Sequence, residues 1–530
     1  MHVPQTGRAG LSRISAWATK PGRFYFAVCL FLCGAQALNL YLYLRTPHLV
    51  SYVLPKPAQL FSLTIGTLFL FRALQVSGSF VWMLIDPAEP ETAILSANDA
   101  HLPYVTVQIP LRNEDIHVAK LSIDSAFSLT YPRDRLQVLV MDNSDPGHSF
   151  DEIRQYVEAR GGVFGHRAGV EGFKARNLNL LLPDTRGEFL LILDADSTVP
   201  SDILLRTLPL FEDPLLGYVQ FRIDTLNEET NLITRVGAMA ARTKTRLSRL
   251  RNHQGFVIFE GHNGMIRRRA LEVVGGWSEE VSEDLATAIE MRLAGFQSRF
   301  VNETSTGEIA PERFQEMMKQ RRKWSYGTGR LLWKKIAPIL RSDLRWYEKL
   351  DLISFMASLA IDGLGFLILF AYIPIPCGTL LIMLILFFLP ILLAENFALR
   401  RALSRYIPFV AIMAALMPTL AYGTFLSMIG RNEPFPVTLK AGGKSLEFGE
   451  LVRVHIFGIT SACLFFVGAC FVVRDIAHFF HYYSGATMVM AAALVVPFLI
   501  EDIATGRSIY GEKRSRPNPA PETVDRCPEI

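Results

Sequence analysis

Residues 188–200 read EFLLILDADSTVP. The run 189–193 is wholly apolar, and two carboxylates, Asp194 and Asp196, follow it one residue apart. A short apolar run bounded by turn-forming residues is the pattern of a buried strand. A strand that ends in paired acid needs an explanation. Asp commonly follows a strand as a turn former or helix cap, and a bound cation is the alternative.

Similar runs lie on both sides. Residues 104–110 (YVTVQIP), 135–142 (RLQVLVMD, ending in Asp142) and 216–223 (LGYVQFRI) are strand-like, while 115–130, 150–160, 175–182 and 202–211 are helix-compatible. Such alternation predicts a mostly parallel, doubly wound α/β sheet. Ligands of these sheets bind beyond the carboxyl ends of the strands, so Asp142, Asp194 and Asp196 are expected to face one crevice. Three carboxylates suit a hard divalent cation, Mg²⁺ or Mn²⁺, and with it a phosphate-bearing substrate.

The segment 86–348 that holds these runs is charged, but its flanks are not. Residues 24–44, 58–85, 352–373, 377–394, 407–429, 455–473 and 484–500 are apolar stretches long enough to suit a bilayer. The first is too long for a cleaved signal peptide and another follows it. The expectation is a polytopic membrane protein, with the lipid bilayer as a partner. Arg8, Arg13, Lys20 and Arg23 place the N-terminal segment in the cytoplasm. Segment 407–429 is basic on both sides and contains Pro408 and Pro418, so it is expected to lie along the inner interface rather than cross.

Composition removes other classes. The net charge of +4 is small for 530 residues, and the basic residues sit beside the apolar stretches. That pattern reports orientation, and no nucleic-acid partner is expected. Of the six cysteines, Cys29, Cys33, Cys377, Cys463 and Cys470 lie in apolar stretches and Cys527 in the tail, so no thiol or zinc chemistry is expected in the charged segment. The tail 506–530, with Pro517, Pro519 and Pro521, is expected to be disordered.

Several further motifs follow in order. IPLRNE (109–114), FKARNLN (173–179), FEGHNG (259–264), Ser282-Glu283-Asp284 and QRRKW (320–324) together resemble the processive family-two membrane glycosyltransferases, the synthases of cellulose, curdlan, chitin and hyaluronan. The resemblance covers about residues 104 to 330 and implies an α/β GT-A (Rossmann-like) cytosolic domain set within an α-helical transmembrane domain of about six spans plus interfacial helices. The implied division is a cytoplasmic segment 1–23, two spans in 24–85, the GT-A domain 86–348, a channel region 349–505 and the tail.

The resemblance also assigns roles. Pro110, Glu114, Asp142, Lys174, Asp194 and Lys323 would hold the nucleotide sugar, with Asp194 and Asp196 carrying Mg²⁺ or Mn²⁺. Asp284, with Glu283 beside it, would supply the catalytic base. Gly261, His262, Asn263, Gln320 and Trp324 would hold the acceptor end of the polymer. In 430–446, Phe435, Val437, Thr438 and Lys440 resemble the F-x-V-T-x-K gating loop of cellulose and curdlan synthases. Each role has a chemical reason. A metal neutralises charge on a leaving diphosphate, a carboxylate takes the proton of a weakly nucleophilic hydroxyl, and an indole offers a flat platform to the apolar face of a sugar.

Departures from the family pattern bear on donor and acceptor identity. Lys323 stands where the family has arginine, and lysine offers no planar fork. Leu111, Arg112, Glu260 and His262 also differ. Taken singly, the residues have plainer readings: Glu283 and Asp284 as acids at a helix N-terminus, Trp324 as an interfacial anchor, Lys174 as a surface charge, and Asp362 as the ion-pair partner of Arg72 within an apolar stretch.

The expected activity is processive, inverting transfer of glucose from UDP-glucose into a β-glucan, passed across a bacterial inner membrane with the catalytic domain on the cytoplasmic side. Accessory export subunits are left open. The alternatives are a mannan or amino-sugar polymer, a single transfer to a lipid, and a transporter with an inactive cytosolic domain.

Overall fold

The computed structural model of the chain describes residues 20, 22–45, 67, 68, 70–79, 94–97, 101–145, 150–167, 173–254, 256–370 and 399–430. The elements in chain order begin with α1 (Arg23–Arg45), β1 (Val105–Leu111), α2 (Ile116–Phe127), β2 (Leu136–Asp142), α3 (Asp151–Glu158), β3 (Val163–His166), α4 (Phe173–Leu181) and β4 (Phe189–Ile192). Then come α5 (Ile203–Thr207), β5 (Leu216–Thr225), α6 (Leu232–Gln254), β6 (Gly264–Arg267), α7 (Arg268–Val273), α8 (Glu283–Leu293) and β7 (Gln297–Glu308). Three long helices follow: α9 (Phe314–Arg341), α10 (Trp346–Phe370) and α11 (Leu399–Met428).

The seven strands form one sheet in the order β3-β2-β1-β4-β6-β5-β7. All neighbours run parallel except β6, which is antiparallel to both β4 and β5. The sheet is therefore mixed. Each of the four expected strands coincides with an observed one, and the helix-compatible stretches hold α2, α3, α4 and α5.

Apolar side chains cover both faces, which is why β4 is apolar at every position. Val107, Ile109, Val140 and Leu191 pack with Val118, Ala119 and Ile123 of α2. On the other face Leu190, Ile192, Tyr218 and Ile266 pack with Ala175 and Leu178 of α4 and with Leu285, Ala286 and Ile289 of α8. Leu190, Leu191 and Ile192 are fully buried, each contributing about 1.5–3 kcal/mol. Asp142 ends β2, and Asp194 and Asp196 follow β4, so three acids lie at the ends of strands packed on both faces.

The three long helices pack on the catalytic half. Ser325 of α9 donates from Oγ to the carbonyl of Leu420 (2.7 Å) and meets Thr424 (2.9 Å) on α11. Ile412 and Leu416 of α11 pack with Ile233 and Val236 of α6 and with Phe314 and Met317 of α9. Helix α11, which holds most of segment 407–429, thus rests against the domain.

A second contact joins α1, the segment 70–79, α6 and α10. The Tyr25 hydroxyl donates to Asp351 Oδ1, and Gln75 Nε2 reaches Asp351 Oδ1 (3.1 Å), Tyr25 (3.2 Å) and Ser354 (3.2 Å). Arg251 donates from Nε to Asp351 Oδ2 (2.8 Å) and from a terminal nitrogen to Oδ1 (3.2 Å). Tyr25, Gln75, Arg251 and Asp351 are all buried.

Among the described residues no helix is long and apolar enough to cross a membrane. Of the expected spans, 24–44 is helical throughout, 407–429 is helical to Met428 and 352–373 is helical to Phe370. Segments 377–394, 455–473 and 484–500, the gating loop with Phe435, Val437, Thr438 and Lys440, and the tail 506–530 lie outside the described residues, and 58–85 is described only in part. Two guanidiniums, Arg72 and Arg321, act electrostatically on Asp362.

Candidate active site

The first wall of the site is the junction of β1 and β2. Asn113 adopts the left-handed backbone (φ 55°), a conformation that Asn tolerates better than most side chains. Its amide exchanges two hydrogen bonds with Asp145, from Nδ2 to Oδ2 (2.7 Å) and from the Asp145 N–H to Oδ1 (2.8 Å). Pro110 and Glu114 flank this turn, both half-buried. Asp142 ends β2 fully buried. Its carboxylate accepts from Ser144 Oγ (2.6 Å) and the Ser144 N–H (3.1 Å) and meets His166 Nδ1 (2.7 Å), whose ring stacks on Phe150 at 3.7 Å. Neither Ser144 nor His166 was singled out in the sequence; a serine two residues after a strand-ending aspartate was the available clue.

Beyond β4 the chain turns through Asp194–Ser197, with the Ser197 N–H donating to the Asp194 carbonyl (3.0 Å). Asp196 Oδ2 accepts the N–H of Ile309 (2.9 Å), so the end of β7 holds the second metal candidate. Asp194 is held by side chains instead. Lys174 of α4 donates to its Oδ1 and also to the carbonyl of Gly261 (2.9 Å). Burial alone would pull this ammonium down, but Asp194, Glu283 and Asp284 outweigh it and leave its pKa above the usual lysine value. Lys174 is half-buried within the site rather than a solvated surface charge. Its neighbours Asn177 and Asn179 are structural: Asn177 accepts from Asn143 (2.8 Å), and Asn179 exchanges bonds with the Trp277 backbone (2.8 and 2.7 Å).

Residues 260–263 cross behind Asp194 to enter β6. Gly261 (φ 86°) and Asn263 (φ 49°) are both left-handed. At Gly261 a Cβ would stand 3.1 Å from Asp284 Oδ2, so the backbone is pressed against that carboxylate and glycine is required. Asn263 is fully buried, and its Oδ1 has no partner among the described residues. His262 lies between two acids, with Nδ1 3.5 Å from Asp194 Oδ2 and Nε2 2.9 Å from Glu308 Oε2. The structure therefore sets His262 beside the metal candidate. Burial lowers the His262 pKa, but Asp194 and Glu308 raise it more, to a net value above the usual one.

Ser282 precedes α8, and Glu283 and Asp284 occupy its first turn. Asp284 Oδ1 accepts the Leu285 N–H (2.7 Å). Burial and the adjacent Asp284 push Glu283 up to about 7, against the pull of Lys323 and Lys174. Burial also raises Asp284, opposed by that N–H bond, Lys174 and Lys323. Both lysines expected at the nucleotide sugar therefore act on this carboxylate pair. Helix α9 approaches closely enough that a Cβ on Gly327 would lie 2.1 Å from Ser282 Oγ, so the helix bearing Gln320, Lys323 and Trp324 is seated on the turn bearing the acids.

Gln320 is half-buried on α9. The Trp324 ring has Arg321 at 4.6 Å and Lys244 of α6 at 5.5 Å from its centroid, and Lys244 pairs with Glu260. Lys244, Arg321 and Glu308 were not legible as site residues, because α6, α9 and β7 meet only in the folded chain. Among the described residues no three His, Cys, Asp or Glu side chains are grouped to hold a metal. Asp194 and Asp196 still fit one, because Mg²⁺ commonly binds through one or two carboxylates and completes its shell with substrate phosphates and water.

This geometry agrees with the comparisons. Residues 189–426, which hold β4 to β7 and most of the helices packed on them, match the model of glycosyl transferase family group 2. The chain is 29% identical over 279 residues to the β-monoglucosyldiacylglycerol synthase of Synechocystis sp., covering 51% of this chain and 58% of that protein. It is 29% identical over 269 residues to a probable glucomannan 4-β-mannosyltransferase of Oryza sativa subsp. japonica, covering 48% and 49%. The chain thus spans 58% and 49% of the lengths of these curated relatives. A mannosyltransferase from Pyrobaculum calidifontis, solved with GDP-Man and Mn2+, is similar at 17% identity and a TM-score of 0.49, over 71% of this chain and 100% of that one.

Proposed function

We propose that the protein is an inverting, metal-assisted hexosyltransferase that uses UDP-glucose to lengthen a β-glucan and pass it across a membrane. The observation that carries the reading is one shared lysine. Lys174 joins Asp194, at the end of β4, to the Gly261 carbonyl, and Gly261 is packed against Asp284. Donor-side and acceptor-side acids thus meet around a single cation.

Asp194 and Asp196 would hold Mg²⁺ or Mn²⁺, whose chemistry there is to neutralise charge on the diphosphate. Lys174 and Lys323 add positive charge on the same side. Asp284 takes the acceptor hydroxyl's proton as the new bond forms opposite the leaving group, which inverts the anomeric centre. Glu283, pushed up to about 7, is partly protonated at neutral pH, which reduces the negative charge carried by the pair. Support for a lipid-facing chain comes from the apolar stretches and from Phe26, Leu30 and Phe31, which are exposed on α1.

A second reading, one hexose moved to a lipid, is favoured by the Synechocystis relative and by the cations crowding Trp324. Incubating membranes holding the full-length protein with radiolabelled UDP-glucose separates the two. EDTA-sensitive label in an insoluble β-glucan supports the first reading, and label confined to organic-solvent-soluble lipid selects the second. Label from GDP-mannose alone would change the donor. No transfer from either donor would sink the proposal.

A further inference from the structure

We propose that Glu308, the last residue of β7, is a positioning residue for the donor site, anchoring His262 so that its imidazole braces Asp194 from the side opposite Lys174. The inference rests on the reading of Asp194 as a ligand for a divalent cation and extends it to a residue outside every motif.

The geometry has three parts. His262 Nε2 stands 2.9 Å from Glu308 Oε2, while Nδ1 faces the Glu260 carbonyl at 3.2 Å and Asp194 Oδ2 at 3.5 Å. The ring is thus held at both nitrogens by acceptors, Glu308 at one and the Glu260 carbonyl at the other. Asp194 is held at Oδ1 by Lys174, and its Oδ2 faces His262 Nδ1 at 3.5 Å, a charge contact rather than a hydrogen bond. Finally, the adjoining Ile309 N–H binds Asp196 Oδ2 (2.9 Å), and Thr198 pairs with Gly307 across the same strand end. Residues 307–309 therefore hold both acids of D-x-D, one through backbone and one through the Glu308–His262 contact. Partners one step removed from a metal ligand typically contribute 10–100-fold to metal affinity.

Arg321 also acts electrostatically with Glu308, so loss of the carboxylate could act through α9 instead. A double-mutant cycle separates the routes. The assay is thermal stabilisation and calorimetric binding of Mn²⁺ with UDP to the full-length protein, without turnover. Glu308→Ala and His262→Ala should each weaken Mn²⁺-dependent UDP binding by about 10–100-fold, and the double variant should lose no more than either alone. Glu308→Gln, which keeps an acceptor for Nε2–H, should recover most of the affinity even if Glu308→Ala lowers the melting temperature of the ligand-free protein. Wild-type affinity in Glu308→Ala, or an equal further loss when it is added to His262→Ala, overturns the inference and leaves the transferase reading intact. Failure of the native protein to bind Mn²⁺ and UDP overturns both.

Discussion

The chain contains two clusters of buried charge, and they are built differently. At the α1–α6–α10 junction, Asp351 has a side chain 3% exposed, and both its oxygens are taken by Arg251, Tyr25 and Gln75. At the end of β4, Asp194 is 35% exposed beside Lys174, and two adjacent acids nearby have raised pKa values. The first cluster uses its hydrogen bonds to hold four segments together. The second keeps a carboxylate partly exposed and two adjacent acids pushed up by burial, a combination that costs stability and serves chemistry.

The sharpest test of that difference is to remove one acid from each cluster. Asp284→Asn should lower kcat by about 10³-fold, within the range for loss of a general base. Its melting temperature and its UDP affinity should stay near wild type. Near-normal turnover would move the base elsewhere. Asp351→Ala should do the converse, because removing one partner strands Arg251 and costs about 3–5 kcal/mol, while KM for the donor is unchanged in the protein that remains folded. Chemical denaturation together with steady-state kinetics reads both effects.

A change of pH should also divide the clusters. Glu283 has its folded pKa raised to about 7 from an ordinary value of 4.5. An acid raised in this way contributes most stability below its unfolded pKa, and loses it as pH climbs through the folded pKa. Stability should therefore fall between about pH 4.5 and 7 through this group, and Glu283→Gln should flatten that slope in melting curves recorded from pH 5 to 8. Over the same window kcat/KM should rise as the pair ionises. A rate independent of pH across this range would show that the pair does not limit the reaction.

The smallest effect is expected at Lys323, which acts on the acids through its charge. Lys323→Arg keeps that charge and should change kcat/KM by no more than about threefold, under 1 kcal/mol. Abolished turnover would mean that the ammonium makes a contact that guanidinium geometry forbids.

How far the sequence reached follows from the same physics. β1, β2, β4 and β5 were legible because each is an apolar run, and two of them end at acids. β6 is only GMIR, too short to show a period, and it enters through a left-handed Asn263. β7 reads QSRFVNETSTGE, polar along its length, with a register irregularity between its two halves. The D-x-D pair and the acids of α8 were visible as motifs. The partners Glu308 and Lys244 were not, since His262 meets Glu308 across 46 residues and Glu260 meets Lys244 across 16.

The antiparallel β6 sets the order in which the molecule is built. β4 and β5 are consecutive in the chain but not neighbours in the sheet, because β6 fills the space between them. As the polypeptide leaves the ribosome, the apolar FLLI edge of β4 stays unpaired on that side until Gly264–Arg267 has been synthesised and has turned back through the Gly261–Asn263 bend. An exposed apolar strand edge is a template for wrong pairing, so this interval is when the nascent chain most needs a chaperone. Truncations ending shortly before Gly264 should aggregate, and those extending past β7 should not.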